Sequence, residues 1–132
     1  MNLKIVTPEG IHWQGEIDSV VLPGIEGEME ILPGHIALAT RILAGELVVK
    51  EKKTHNSTFL AVGDGFVEVT STDVTVLSDM AVNAENIDEA AALAAQAKAQ
   101  ERLKQKISQE EVALAIASLS HAAAMLKVKR RR

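Results

Sequence analysis

After Val82 the residue vocabulary of this chain changes, and the two sides of the change cannot belong to one kind of structure. From Leu3 to Ser78, short β-branched and aliphatic runs alternate with glycine, proline and small polar residues, the pattern of strands joined by tight turns. From Ile87 to Lys104 there is neither glycine nor proline, and alanine, the best helix former, dominates. The discontinuity predicts a mixed fold. An N-terminal antiparallel β-sandwich or flattened barrel over residues 1–82 precedes a C-terminal antiparallel α-helical hairpin over residues 83–132.

Within the first part, Leu3 to Thr7 alternates apolar and polar residues and stops at Pro8, which cannot donate to a ladder. Further strands are expected over Ile17–Leu22, Ile36–Leu43, Glu46–Lys50 and Thr58–Val62. Gly63-Asp64-Gly65 reads as the turn before Phe66–Thr70, and Ser71-Thr72-Asp73 folds that strand onto Val74–Leu77. Alternation puts Val67 and Val69 on one face, and Val74 and Val76 likewise. Trp13, Phe59 and Phe66 are the only aromatics, so the core must come from Val, Ile, Leu and Ala.

In the second part, Asn86 is the expected N-cap of a helix running to Lys104, with Glu89 three residues on. Ser108 to Glu111 has the form of a capping box, flanked by Ile107 and Val112 in hydrophobic-staple positions. The second helix is expected over Gln109 to about Lys127, with a seam at Val112, Ile116, Leu119, Ala123 and Leu126. The facing stripe on the first helix is expected at Leu93, Ala97, Leu103 and Ile107. A seam this rich in alanine buries little area, so the hairpin should depend on docking to something larger. The end, Lys127 to Arg132, sets five cations at a helix C-terminus, where the helix dipole favours them.

Charge divides along the same line. Through Glu85 there are five Lys/Arg against thirteen Asp/Glu, a net −8; from Asn86 there are nine against five, a net +4. An acidic folded half argues against a nucleic-acid module, whose binding face would be basic. No strictly apolar run approaches the ~20 residues of a bilayer span, so no direct membrane insertion is expected. The start lacks the three-part order of a signal peptide. Without cysteine there is no disulfide framework and no thiolate metal site, which fits a reducing, cytoplasmic setting. His12, His35, His55 and His121 have no metal-ligand spacing, no Gly-rich phosphate loop is present, and no nucleophile elbow frames a serine. The expectation is a protein that is not an enzyme, with no catalytic residue, metal or cofactor.

What remains is a surface. Pro23-Gly24 and Pro33-Gly34 bracket Glu28-Met29-Glu30-Ile31, whose alternation sends Met29 and Ile31 to one face and the two glutamates to the other. His35 follows at the exit of the second turn. An acidic ribbon between tight turns is a candidate docking edge or an ordinary soluble edge, and spacing alone leaves both open.

Taken together these residues resemble the epsilon subunit of F-type ATP synthase over nearly the whole chain. The similarity rests on Glu26-Gly-Glu-Met-Glu-Ile-Leu-Pro-Gly-His35, on Gly65-Phe-Val-Glu-Val69 with Val74-Thr-Val-Leu-Ser-Asp79, and on Ile87-Asp-Glu-Ala90. The resemblance implies a non-catalytic rotor subunit of the central stalk. Its sandwich would pack on the gamma subunit and touch the c-ring of the membrane sector, at the cytoplasmic face of the bacterial inner membrane. By position, Glu28 corresponds to the ring-contacting carboxylate and His35 to the approach to gamma. The hairpin is similar to a regulatory arm that extends toward the alpha and beta subunits and restrains ATP hydrolysis. Some members bind a nucleotide through Ile/Leu-Asp-x-x-Arg-Ala; here Ile87, Asp88 and Ala92 match, but Ala91 replaces the arginine. His121 and Met125 stand where basic residues would hold phosphate, so weak or no ATP binding is expected. Glu30 and Asp64 depart from glycines of the family pattern. Alternatives of another class are a free-standing nucleotide sensor, which would need those missing cations, and an adaptor using the ribbon alone.

Overall fold

The computed structural model describes residues 1–132, with nine strands ahead of two helices. The strands are β1 (Asn2–Thr7), β2 (Gly10–Gly24), β3 (Gly27–Ile31), β4 (Leu38–Ile42), β5 (Gly45–Glu51), β6 (Ser57–Val62), β7 (Gly65–Val69), β8 (Asp73–Ser78) and β9 (Ala81–Asn83). A 3₁₀ turn at Ala84–Asn86 leads to α1 (Glu89–Leu103) and α2 (Gln109–Arg131).

Strand β2 makes the sandwich. Its first half pairs with β1, from Thr7↔Gly10 to Asn2↔Glu16, and its second half pairs with β3 and β5. One strand therefore serves two layers. One layer runs β3-β2-β5-β6-β9, and the other runs β2-β1-β8-β7-β4. The expected strand begins only at Ile17, because Gly10 to Glu16 faces solvent on most positions and its alternation of Ile11 and Trp13 is broken by Gly15. Pairing is antiparallel throughout except between β1 and β8, which are parallel, so the purely antiparallel sandwich needs that correction. β9 is a strand the sequence does not announce, because three half-buried residues are too few to show a period. Ile36, expected in β4, is instead 80% exposed ahead of it.

Leu3, Ile5, Ile17, Val20, Leu22, Ile31, Ile42, Leu47, Val49, Leu60, Val62, Val67, Val69, Val74 and Val76 fill the space between the layers. They are alternate positions along their strands, as a period of two requires. A bulge between Ile17 and Ser19 shifts β2 by one, so that Ile17 and Val20 both face in. At ~25 cal/mol per Å² of apolar area withdrawn from water, this cluster is the main source of stability.

The helices differ from expectation at one cap and in part of the face they bury. Asp88, not Asn86, caps α1, its carboxylate accepting from the Ala91 amide at 3.1 Å. Asn86 is held in the 3₁₀ turn, which delays the helix by two residues. Ser108 caps α2, with Glu111 N–H donating to Oγ at 3.2 Å; the Glu111 carboxylate turns to Arg102 instead of completing the box. On α1 the covered positions are Ala92, Gln96, Ala99 and Leu103, while Leu93 is 42% exposed and Ala97 is exposed too. On α2 they are Val112, Ala115, Leu119, Ala122 and Leu126, while Ile116 and Ala123 face out. Val112, Leu119 and Leu126 hold their expected places and so does Leu103. Ala115 and Ala122 replace Ile116 and Ala123, and Ala92 and Gln96 replace Leu93 and Ala97, so the helices meet partly along alanines. A second covered face of α2, through Ala124 and Val128, packs on Ala61 and Ile87. Thus α1 packs on α2, and α2 in turn packs on β5 and β6.

By length and composition α2 is the one helix apolar enough to cross a membrane, although Ser118, Ser120 and His121 interrupt its apolar run. Only 28% of its 18-residue apolar window is buried. Alanine raises its average without supplying a continuous bulky face.

Candidate docking surface

The two layers present opposite kinds of outer face. On β5 and β6 the outward residues include Glu46, Phe59 and Ala61, and α2 lies over them. On β4, β7 and β8 nothing covers the outward residues. Register aligns Arg41, Phe66 and Leu77 in one row, and Ala39, Glu68 and Thr75 in the next. Phe66 is 58% exposed and Leu77 51% exposed, and Ile25 at the tip of the β2–β3 turn closes a shallow groove of about 600 Å³ with them. Exposed aromatic and aliphatic side chains grouped this way, with an arginine and a glutamate at the rim, form a surface suited to a protein partner. The reading from sequence missed it. Its signal was present, since placing Val67, Val69, Val74 and Val76 inward necessarily leaves Phe66 and Leu77 on the outer side.

The acidic ribbon sits beside this face. Glu28 lies opposite Pro23 beside the turn that closes the β2–β3 hairpin, with its side chain in solvent. Met29 is half-buried, Ile31 is fully buried, and Glu30 is exposed, as alternation requires. Gly24 permits the tight closure, because a Cβ there would stand 2.8 Å from the Gly27 carbonyl oxygen. His35 lies past the other end of β3, in a turn closed by its amide donating to Leu32 O at 3.1 Å, with Gly34 at φ +84°. Its Nδ1 sits 2.8 Å from Ile36 O, and the ring is half-buried. Four residues of strand put Glu28 roughly 13 Å from the start of that turn. The two residues therefore occupy different ends of one edge and form no joint site.

The residues matched to a nucleotide motif have structural duties in this fold. Ile87 is buried against Ala61, Ala124 and Val128, Asp88 caps α1, and Ala91 is exposed. His121 Nε2 lies 3.0 Å from Asp79 Oδ1, joining α2 to the β8–β9 turn, and Met125 packs on the hairpin's footing. No group of His, Asp or Glu side chains has the geometry of a metal site.

A two-layer sandwich with one bare apolar face, an acidic edge and a helical hairpin on its other side defines a docking subunit. Residues 1–84 match the family model described as ATP synthase, Delta/Epsilon chain, beta-sandwich domain. An ATP synthase epsilon chain from Bordetella avium is 40% identical over 132 residues, covering 99% of this chain and 92% of that one. Among solved structures, one from the Euglena gracilis mitochondrial ATP synthase, containing OSCP, F1 and c-ring, has a TM-score of 0.75 at 21% identity, covering 93% of this chain and 77% of that one. Another, from the Tetrahymena thermophila mitochondrial ATP synthase central stalk and c-ring, has a TM-score of 0.65 at 10% identity, covering 98% and 96%. At these identities the structures share the fold. The sequence match goes further: this chain belongs to the ATP synthase epsilon-chain family, and is a non-catalytic member of it.

Proposed function

We propose that the chain works as a rotor subunit of the central stalk, joining gamma to the c-ring so that an ion gradient drives ATP synthesis. The observation that carries this reading is the bare row of Arg41, Phe66 and Leu77 opposite the helix-covered layer. Gamma docks there, with His35 at the margin, and Glu28 meets polar groups of the ring. The subunit is peripheral, at the cytoplasmic face of the bacterial inner membrane. Residues 1–82 form the docking unit, with Asn83 completing β9, and residues 83–132 form an arm. The arm leaves the sandwich, reaches the alpha and beta subunits and restrains hydrolysis. In support, Leu93, Leu114 and Ile116 are 42%, 70% and 54% exposed, which leaves α2 and α1 with apolar surface unused in the docked state.

The test is reconstitution of the complex with the full chain, with a truncation after Glu85, and with Glu28→Ala/His35→Ala. The truncation should assemble and change ATPase activity. The double substitution should weaken assembly, and undiminished assembly would remove Glu28 and His35 from the interface. For the isolated chain, with Ala91 and Met125 in place of cations, calorimetry should find no micromolar ATP binding. Tight binding would restore the sensor reading through Ile87 and Asp88.

A further inference from the structure

We propose that Glu46 and the paired guanidiniums of Arg131 and Arg132 form a salt-sensitive clasp that sets how readily the hairpin leaves the sandwich. The proposal rests on the reading of the hairpin as a movable arm.

Glu46 occupies an outward position of β5, paired with Ala61 of β6, where a period of two would place a solvated carboxylate. Only α2 turns that position into an interior one. Its side chain is 5% exposed, and Oε1 receives Arg131 Nη1 at 3.3 Å and Arg132 Nη2 at 3.0 Å. Oε2 is buried without a hydrogen-bond partner. Arg132 also lies 3.8 Å over the Phe59 ring, a cation–π contact that fixes its approach. The arginines themselves stay 47% and 31% exposed. The footing beneath them is small, with Ala61, Ile87, Ala124 and Val128 as its buried apolar members.

This asymmetry gives the contact its character. Without the arginines, docking α2 would bury a carboxylate with no counter-charge, which a folded interior strongly resists. Without the carboxylate, the arginines simply turn to water. The clasp therefore acts through the burial of Glu46 more than through the attraction of exposed pairs, which contribute little alone. Salt acts on the same balance, because hydrated ions stabilise the separated charges and screen their attraction.

The full chain contains no cysteine, so Lys53→Cys in the β5–β6 turn and Ser118→Cys on α2, both exposed, can carry spin labels for distance measurement. Arg131→Gln/Arg132→Gln should lower the ratio of docked to undocked hairpin about tenfold, with far-UV circular dichroism still reporting intact helices. Adding Glu46→Gln to that pair should return most of the docked population, and Glu46→Gln alone should have the smaller effect. The unsubstituted chain should lose docked population from low salt to 1 M, and the triple variant should not. An unchanged distance distribution in the double variant, or no recovery with Glu46→Gln, overturns the clasp. ATPase activity that ignores removal of the hairpin overturns the arm reading instead, leaving the distance result to judge the clasp by itself.

Discussion

Two glycines two residues apart show how one short turn makes unequal demands. A Cβ on Gly65 would stand 1.8 Å from the Leu77 carbonyl oxygen, and that oxygen belongs to the β7–β8 ladder and cannot retreat. Gly65→Ala should cost about 3 kcal/mol, read as a lower urea midpoint, because overpacking against backbone leaves only strand displacement as relief. A Cβ on Gly63 would instead meet Asp79 Oδ1 at 1.7 Å and His121 Nε2 at 2.9 Å, the ends of two side chains. Gly63→Ala should therefore cost less, about 1 kcal/mol, while breaking the His121–Asp79 bridge between α2 and the sandwich. Equal losses for the two would refute the distinction. Asp64 between them ties two turns together, its carboxylate accepting from the Ala44 amide at 2.9 Å. None of this could be read from Gly-Asp-Gly alone, which announces a turn but not what the turn touches.

Elements were legible where a period is strong, and obscure where alanine blurs it. The inward valines of β7 and β8 and the Met29–Ile31 face of β3 follow from alternation alone. The hairpin seam follows only in part. Leu103, Val112, Leu119 and Leu126 lie where the spacing puts them. With alanine at seven of the fifteen α1 positions and at six of the 23 in α2, the positions between them look much the same from several sides. By size Leu93 and Ile116 are the natural core residues, yet bulky side chains there would hold the helices apart. Burying Ala92 at 2%, Ala99 at 4% and Ala122 at 0% allows closer approach, and Leu93 and Ile116 turn outward. The acidic ribbon was legible, whereas the apolar face at Phe66 and Leu77 needed the register of three strands. Ala122→Leu tests the seam. It should destabilise the hairpin by about 2 kcal/mol through overpacking, lowering the circular-dichroism midpoint at 222 nm. Trp13 lies on β2, so its fluorescence should report an unmoved sandwich midpoint. A shift of both probes together would mean that the seam and the sandwich form one unit.

At the scale of the molecule, the apolar contacts divide unequally. Fifteen residues form the sandwich core, whereas four buried residues join that sandwich to the hairpin, with Glu46, His121 and Lys129 adding polar contacts around them. The sandwich can therefore persist when the hairpin departs, while α1, packed on α2, has no comparable core of its own. Two-state unfolding requires every part to lose stability together, and this arrangement opposes it. In a urea titration the helical signal at 222 nm should fall before Trp13 fluorescence changes. High salt should widen the gap, because ionic contacts hold the hairpin and apolar packing holds the sandwich. The ordering is also what the proposed function requires: an arm that leaves its support in the assembled complex needs an attachment weaker than the fold it leaves. Coincident transitions at low and high salt would show instead that hairpin and sandwich are one cooperative body, and a movable arm would then have no basis in the energetics of the chain.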